Sequence, residues 1–522
     1  MVIHKSPYPD ITIPDVTLAQ YVLGNAHERG DAPALIDGPS GRAVSFNQVA
    51  QGARRVASSL AQKGFGKGDI IAIWLPNLPE YAIAFLSAPL LGGINTTLNS
   101  LYTAAEAHYV LNDTGAQYLV TVPQFMDRAA VAVQNTKVKE IFVLGEAEGA
   151  TPFQSLLAGD GLLPDVKINP QTDLVVLPYS SGTSERPKGV MITHANLVAQ
   201  LAQVSATDVF QDNDTFIGVL PFFHIYGMAL ILLLSLAKGS TVITMPRFEL
   251  ESFLQLMEKY EVSTAPLVPP IVLALAKQPI VEKFNLSKLR TIICGAAPLG
   301  AELEVACAQR LNCLVVQAFG MTELSGASHA NPRDADKIRQ GSIGWVIPAL
   351  EAKIVDLNTN AALPPGEKGE LCLRGPNCMK GYLNNPEATA QTIDPDGWLH
   401  SGDIGYADED GYFYIVDRVK ELIKYNAYQV APAMLEAVLL TNPNIADCAV
   451  IPHQDDEQGE IPKAYIVART PISEEEVMVF VAERVAPFEK IRAVEFIDAI
   501  PKSASGKILR RVLVEKDRAA MN

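Results

Sequence analysis

The sequence predicts a multi-domain α/β protein with a large N-terminal domain of αβ-layered sheets, a β-barrel-like subdomain and a small α+β C-terminal domain. The chain has 522 residues, which is more than one ordinary hydrophobic core organises. Short runs rich in Val and Ile alternate with helical patterns, as is typical of mostly parallel sheets. After residue 341 the strands become closely spaced, and from residue 420 helices mix with short strands.

Seven apolar runs in the first part of the chain are predicted to be buried strands. Each is short, rich in Val, Ile and Leu, and bounded by polar or turn-forming residues. They cover residues 69–75, 117–122, 140–144, 174–177, 240–245, 289–295 and 314–319.

Residues 45–64 are predicted to form a helix ahead of the first of these strands. Ser45 is a suitable N-cap, and Gly64 is a suitable stop. Apolar side chains at helical spacing place one face of this helix against a core. They are Phe46, Val49, Ala53, Val56 and Leu60.

The last third of the chain divides into two predicted parts. Turn-rich segments such as LPPGEKGELCLRGP, DPDGWLHSGD and DEDGYFYIVDR indicate an antiparallel or barrel-like subdomain over residues 341–417. Three short strands at 446–451, 463–467 and 493–497 then alternate with helices. We therefore predict an N-terminal domain of residues 1–417 and a C-terminal domain of residues 418–522.

The composition argues against several classes of protein. With 42 basic and 58 acidic residues the net charge is −16, which disfavours nonspecific binding to nucleic acid or anionic lipid. The longest apolar run, residues 227–237, is shorter than the roughly 20 residues that a membrane-spanning helix needs. The N-terminus has no signal-peptide pattern and the six cysteines form no C-x-x-C pair, so we expect a cytoplasmic protein with reduced thiols.

Residues 179–190, YSSGTSERPKGV, are the strongest local signal for chemistry. They follow an apolar strand and combine hydroxyl groups, glycines and Lys188. Backbone N–H groups in such a turn form an anion nest, and the hydroxyls and the lysine add further donors. The segment is not a Walker loop, because Gly189 rather than Ser or Thr follows the lysine. On these residues alone, an ordinary polar loop remains the alternative.

The loop resembles the signature of the adenylate-forming superfamily, which contains acyl-CoA synthetases, luciferases and peptide-synthetase adenylation domains. Further motifs occur in that family's order and extend the resemblance over roughly residues 15–515. They are PFFHIYG, GAAPLG, QAFGMTE, GELCLRGP, GYLNNPEAT, GWLHSGD, YIVDRVKELIKY and PKSASGK. The versions FFHIYG and VDRVKELIKY are similar to those of the 4-coumarate–CoA ligase branch.

The resemblance implies an enzyme that uses ATP and Mg²⁺ to activate a carboxylic acid as an acyl-adenylate. The implied triphosphate ligands are Ser181, Gly182, Thr183 and Lys188, with Thr322 on a phosphate and Glu323 on the metal. The implied nucleotide contacts are Gly295, Ala296, Ala297, Gln317, Gly320, Asp403 and Arg418. His224 and Lys507 assist adenylation, and Tyr226, Ser325, Gly326 and Ala327 line the acid pocket. The resemblance also implies a mobile C-terminal domain, with Lys420 at the hinge and with Lys424 and Gln429 acting after the domain rotates.

The sequence departs from the family pattern at two places. Glu185 and Arg186 stand in the phosphate loop where relatives place small residues, which adds an acid near ATP. Asn426 and Ala427 replace a Lys-Gly pair that in close relatives borders the CoA tunnel. The second change motivates an alternative acyl acceptor.

Three hypotheses therefore remain at this stage. The leading one is a carboxylate–CoA ligase acting on an aryl, cinnamate-like or medium-chain acid. The second is an amide synthetase that transfers the acyl group to an amine. The third is a catalytically silent protein with the same fold, which the retained polar residues of the motifs disfavour.

Overall fold

The structure is a computed structural model that describes residues 2–180, 187–425, 428–455, 458–504 and 506–521. Its strands form four sheets. The predicted α/β fold is confirmed, and all seven runs predicted as buried strands lie at strands. Among the described residues, no helix combines the length and apolar character that crossing a bilayer requires.

The first sheet has eight strands, of which six consecutive ones, from Leu174–Ser180 to Thr151–Pro152, pair in parallel. Lys188–Thr193 pairs antiparallel with Leu174–Ser180 and with the edge strand Gly381–Tyr382, and the phosphate loop lies between Leu174–Ser180 and Lys188–Thr193 in the chain. In spatial order the strands are Gly381–Tyr382, Lys188–Thr193, Leu174–Ser180, Ile94–Thr97, Ile70–Ile73, Tyr118–Thr121, Glu140–Val143 and Thr151–Pro152.

The second sheet has nine strands, with a parallel centre and antiparallel strands at both edges. In spatial order the strands are Trp345–Val346, Gly326–Ala330, Leu314–Met321, Thr291–Cys294, Thr264–Leu267, Thr215–Gly218, Thr241–Thr244, Pro33–Asp37 and Ala43–Ser45. The carboxyl ends of its parallel strands deliver the GAAPLG and QAFGMTE motifs to one edge, as expected for a ligand crevice in an α/β sheet.

The third sheet is antiparallel and has five strands, which in spatial order are His4–Lys5, Glu351–Val355, Gly369–Arg374, Leu399–Ala407 and Phe413–Arg418. The sequence analysis did not place His4–Lys5 in this sheet, because a two-residue edge strand has no periodic pattern. The fourth sheet contains Tyr428–Val430, Ile423–Tyr425, Gly459–Ala468 and Ile445–Asp455, with Ala493–Phe496 parallel to Gly459–Ala468.

Helices cover the sheets. The α-helices of the described residues are Leu18–Leu23, Ala26–Arg29, Phe46–Gln62, Glu80–Ser87, Ala104–Thr114, Met126–Ala132, His194–Ser205, Leu234–Lys238, Leu250–Lys259, Pro269–Lys277, Ala301–Leu311, Pro386–Thr392, Pro432–Leu440, Glu474–Ala482 and Arg510–Met521. A π-helix, Tyr226–Leu233, precedes Leu234–Lys238.

The helix predicted over residues 45–64 is confirmed as Phe46–Gln62. The Ser45 side chain accepts a hydrogen bond from the Gln48 backbone, and the Gln48 side chain accepts one from the Ser45 backbone. This reciprocal capping box satisfies donors that the first helical turn leaves unpaired. The predicted apolar face is buried.

The described residues form one large hydrophobic cluster and several smaller ones. One hydrophobic cluster contains buried side chains from the first three sheets, such as Val176, Ile292 and Leu371. The fourth sheet has a separate cluster around Ile423 and Val450. Separate cores are what independent folding units require. The domain limits at residues 341, 417 and 418 stay predictions.

Candidate active site

Asp403 is a buried acid, and two partly buried cations, Arg418 and Lys507, complete what we call the Asp403 cluster. The Nε atom of Arg418 donates to Oδ1 of Asp403 at 2.9 Å, and the two residues face each other across antiparallel strands. Within the described residues, Oδ2 of Asp403 is buried without a hydrogen-bond partner. Burial raises the pKa of Asp403, against the opposing effect of the Arg418 and Lys507 charges. A buried carboxylate oxygen without a partner is costly, so this atom is a vacant acceptor for a ligand.

The Lys507 segment approaches the second sheet closely enough to require glycine. Gly506 has φ +80°, and a Cβ atom there would lie 3.1 Å from Cγ2 of Val268. The turn is closed by hydrogen bonds from the Gly506 N–H to the Ser503 carbonyl and from the Ser503 N–H to the Lys507 carbonyl. Burial and the Arg418 charge lower the pKa of Lys507. The sequence-predicted lysine therefore lies at the Asp403 cluster.

Glu323, Tyr382 and Lys188 form a second polar group. The Tyr382 hydroxyl donates to Oε1 of Glu323 at 2.8 Å, and Nζ of Lys188 lies 4.6 Å from the centroid of the Tyr382 ring. Glu323 and Thr322 belong to one short 3₁₀ turn that follows the strand Leu314–Met321. Burial and the Glu323 charge raise the pKa of Tyr382, so its hydroxyl stays protonated and donates.

The carboxylate of Glu323 and the hydroxyl of Thr322 offer the oxygen ligands that Mg²⁺ prefers. One or two carboxylates together with substrate phosphates are a common magnesium environment. The donor set therefore fits the metal that the sequence resemblance implies.

Small residues shape the edge of the second sheet. A Cβ atom at Gly320 would lie 2.1 Å from the Gly326 carbonyl oxygen, so only glycine fits. One at Gly295 would lie 3.2 Å from the Tyr226 ring. Ala296 follows with φ +69°, which places the Gly295–Ala297 segment in a tight turn directly after the strand Thr291–Cys294. The Tyr226 hydroxyl donates a hydrogen bond to the Ile293 carbonyl at 2.9 Å.

Gln317 is held by a buried acid that the sequence analysis missed. Its Nε2 donates to Oε2 of Glu304 at 2.6 Å, and its Oε1 accepts from the Leu299 N–H at 3.3 Å. Glu304 is only 2% exposed, and burial raises its pKa. Glu304 lies on a helix and belongs to none of the motifs, so sequence carries no signal for this contact.

His224 is neutral and enclosed. Desolvation lowers its pKa to about 4, and its Nδ1 accepts from the Tyr226 N–H at 3.3 Å. The accepted hydrogen bond assigns the ring proton to Nε2. A Cβ atom at Gly227 would lie 2.1 Å from the Pro221 carbonyl oxygen, so this glycine permits the tight turn that holds the histidine.

Three residues predicted to line the acid pocket are tightly packed. Ser325 is fully buried, and its hydroxyl donates to the Asn377 carbonyl at 2.8 Å. Gly326 has φ +144°, and a Cβ atom there would lie 3.1 Å from the Gln200 side chain. Ala327 is 5% exposed. The Ser325 hydroxyl is therefore committed to the fold.

Lys424 and Gln429 face each other across the hairpin of Ile423–Tyr425 and Tyr428–Val430. Both are exposed, as is Lys420 in the turn that precedes the hairpin. In the described part of the chain, no hydrogen bond or ion pair links Lys424 or Gln429 to the Asp403 cluster. The sequence predictions for Ser181, Gly182, Thr183, Glu185, Arg186, Asn426 and Ala427 lie outside the described residues.

Comparisons with known proteins identify the family and the fold. The model of the AMP-binding enzyme family matches residues 24–383, and that of the AMP-binding enzyme C-terminal domain matches residues 434–507. A 4-coumarate–CoA ligase of Petroselinum crispum is 43% identical over 523 residues, which cover 98% of this chain and 96% of the relative.

Two solved structures share the fold. The anthranilate CoA ligase AuaEII in complex with anthranoyl-AMP has a TM-score of 0.90 at 25% identity, covering 98% of this chain and 99% of that one. The amide bond synthetase McbA from Marinactinospora thermotolerans has a TM-score of 0.85 at 24% identity, covering 95% and 99%. The second likeness concerns the fold alone.

Proposed function

This chain belongs to the AMP-binding enzyme family, and we propose that it activates a carboxylic acid as an acyl-adenylate and transfers the acyl group to CoA. The observation that carries the proposal is the vacant, buried Oδ2 of Asp403 beside Arg418 and Lys507. A carboxylate in this position accepts hydrogen bonds from ribose hydroxyls, and the two cations next to it suit a phosphate. The relatives named as 4-coumarate–CoA ligases, at 43% identity, support CoA as the acceptor.

In the first half-reaction, a carboxylate oxygen of the acid attacks the α-phosphorus of ATP, and the bond to the β-phosphate breaks to release pyrophosphate. The barrier is dominated by bringing two anions together, so fixed cations and donors should supply most of the rate enhancement. Lys507 serves as the cation between the carboxylate and the α-phosphate. Neutral His224 donates its Nε2 proton as a hydrogen bond to the acid.

The remaining polar residues hold the nucleotide. Ser181, Gly182, Thr183 and Lys188 bind the β- and γ-phosphates. Glu323 and Thr322 would hold Mg²⁺, which neutralises phosphate charge when it is bound. The Gly295–Ala297 turn, Gln317 and Gly320 form the adenine side, where small residues permit flat stacking. Arg418 orients the Asp403 carboxylate toward the ribose.

In the second half-reaction, the CoA sulfur attacks the acyl carbonyl carbon, and the carbon–oxygen bond to AMP breaks. The exposed hairpin positions of Lys424 and Gln429 favour a role only after the C-terminal domain rotates about Lys420. Such a rearrangement separates two steps that need different groups at one site.

We propose an aryl acid of the hydroxycinnamate class as the substrate, on the strength of the 4-coumarate–CoA ligase relatives. Acid-dependent ATP–pyrophosphate exchange tests this with a panel of hydroxycinnamates, benzoates and medium-chain fatty acids. If none of the acids in the panel supports exchange, adenylation is refuted. CoA or amines are then added, and mass spectrometry identifies the product. If the product is an amide and no thioester forms, the acyl acceptor is an amine and not CoA.

A further inference from the structure

The Glu370 carboxylate, in the antiparallel third sheet, contacts two residues of the strand that carries Asp403, and we call this pair of contacts the clamp. Glu370 lies on Gly369–Arg374, next to the strand Leu399–Ala407. Its Oε2 is 2.8 Å from Nδ1 of His400, and its Oε1 accepts from the Gly402 N–H at 2.9 Å. The side chain therefore bridges the two residues that flank Ser401, directly before Asp403.

The clamped peptide also meets the start of the predicted hinge. Gly402 has φ +72°, and its carbonyl accepts from the Val419 N–H at 2.9 Å. The Asp403 N–H donates to the Ser401 hydroxyl at 3.0 Å. Glu370 consequently fixes the backbone from which the Asp403 carboxylate projects, and the same peptide anchors the residue before Lys420.

His400 is the second partner of the Glu370 carboxylate. Its Nε2 lies 3.7 Å from Oδ2 of Asp394, and Glu370 is on its other ring nitrogen. The hydrogen bond to Glu370, with help from Asp394 and against burial and the Lys353 charge, raises the pKa of His400. Cys372 lies 3.4 Å from Nδ1, and burial raises the pKa of its thiol, so this neighbour is neutral.

We infer that Glu370 and His400 are positioning residues of the nucleotide subsite, which hold the Gly402–Asp403 backbone in the geometry that accepts the ribose. This inference rests on the proposed function, because it takes Asp403 as the ribose ligand. Both side chains would act through the Gly402–Asp403 backbone and not by direct contact with the nucleotide. The competing explanation is a metal site, since the ligand atoms of Glu370, Cys372 and His400 lie within 4.8 Å of one another.

The test compares Glu370→Ala, Glu370→Gln and a matched control in the full-length protein. Glu351→Ala serves as the control, because Glu351 lies on the neighbouring strand and pairs with Arg374 at 2.7 Å. Calorimetry with AMP measures the subsite without any acid substrate. We expect Glu370→Ala to weaken AMP binding about tenfold, the effect of losing one charge-assisted contact. Glu370→Gln retains an acceptor for Gly402 and should restore most of the affinity, whereas Glu351→Ala should leave it unchanged.

A purely structural role would lower the thermal midpoint in both alanine variants and leave AMP affinity equal, which would overturn the inference. His400→Ala adds a second readout, since loss of the hydrogen bond to Glu370 should weaken AMP binding in the same direction as Glu370→Ala. Stoichiometric, Cys372-dependent binding of Zn²⁺ in equilibrium dialysis would also overturn it. Wild-type protein that fails to bind AMP would refute the proposed function, whereas normal wild-type binding with an unaffected Glu370→Ala variant would refute only this inference.

Discussion

Arg418 and Asp403 form an ion pair that engages only one oxygen of the carboxylate. The Nε–Oδ1 distance is 2.9 Å, while Oδ2 is buried and has no partner among the described residues. Asp403 is only 3% exposed, so bulk water has little access to hydrogen-bond its Oδ2 atom. A ligand with neighbouring hydroxyl groups would satisfy this oxygen.

Asp403→Asn should therefore weaken AMP binding by about tenfold or more, because it removes a charged acceptor from the ribose. The amide keeps the shape of the side chain, so the fold should persist. Calorimetry with AMP measures the effect. Asp408→Asn, at a turn beyond the other end of the same strand, is the control and should bind normally. Unchanged affinity in Asp403→Asn would remove Asp403 from the nucleotide subsite.

Lys507→Ala should abolish adenylation and leave the fold intact. In the proposed mechanism Lys507 is the cation between the carboxylate and the α-phosphate, and such a group is worth several kcal/mol in the transition state. The measurement is acid-dependent ATP–pyrophosphate exchange. Lys502→Ala, which breaks an ion pair with Asp447 in the same segment, is the matched control. If Lys507→Ala keeps more than about a tenth of wild-type exchange, the assignment is wrong.

The sequence predicted the fold where local patterns decide it. Apolar runs such as residues 69–75 become strands because burial of Val, Ile and Leu on both faces leaves few alternatives. The N-cap at Ser45 depends on residues only three positions apart in the chain, so it too could be predicted from the sequence. Lys507 and Asp403 were singled out by the resemblance of their motifs to those of the adenylate-forming superfamily, and in the structure the charge of Lys507 acts on Asp403.

The contacts between distant segments were not predictable. Tyr382 meets Glu323, and Glu304 holds Gln317, only because particular strands and helices become neighbours. A one-residue change of strand register would turn Glu370 away from His400. Hydrophobic periodicity specifies which face is buried, but it does not specify which polar side chains meet across a sheet.

Low pH should destabilise the protein through His194. This side chain is fully buried, and its Nδ1 accepts from the Leu18 N–H at 3.1 Å, so the ring must be unprotonated there. Desolvation lowers its pKa from 6.5 to about 4. The unfolded chain thus binds a proton first, and stability is lost as the pH falls from ~6.5 through ~4.

The expected loss of unfolding free energy from His194 is about 2 kcal/mol between pH 7.5 and pH 5. Urea titrations at both pH values measure it. His224 and His329 contribute in the same direction, so His194→Gln, which keeps an acceptor for Leu18, isolates the single residue. The variant should lose less stability on acidification than wild type; an equal loss would contradict the prediction.

The departure at Asn426 and Ala427 predicts weak CoA affinity with normal adenylation. If this segment borders the CoA tunnel as the resemblance implies, the missing lysine would remove a partner for a CoA phosphate, and the alanine would add a methyl group where the relatives have glycine. Asn426→Lys with Ala427→Gly should improve CoA use about tenfold, which corresponds to ~1.4 kcal/mol. Thioester formation at varied CoA concentration measures this. Micromolar affinity in wild type without improvement in the double variant would contradict it.

Lys424→Ala should slow acyl transfer and spare adenylation, whereas Lys507→Ala should abolish adenylation. Lys507 is partly buried at the Asp403 cluster, whereas Lys424 is exposed on the hairpin opposite Gln429. Because Lys424 is expected at the site only after the C-terminal domain rotates, its loss should spare ATP–pyrophosphate exchange. Transfer to CoA should fall about tenfold or more, since a positioned catalytic group typically contributes at least that factor.

Single-turnover transfer from preformed acyl-adenylate measures the second step alone, and Lys490→Ala provides a control for loss of charge elsewhere in the domain. Equal losses in both half-reactions would contradict a two-conformation mechanism, because they would mean that Lys424 acts in the arrangement that already contains Lys507.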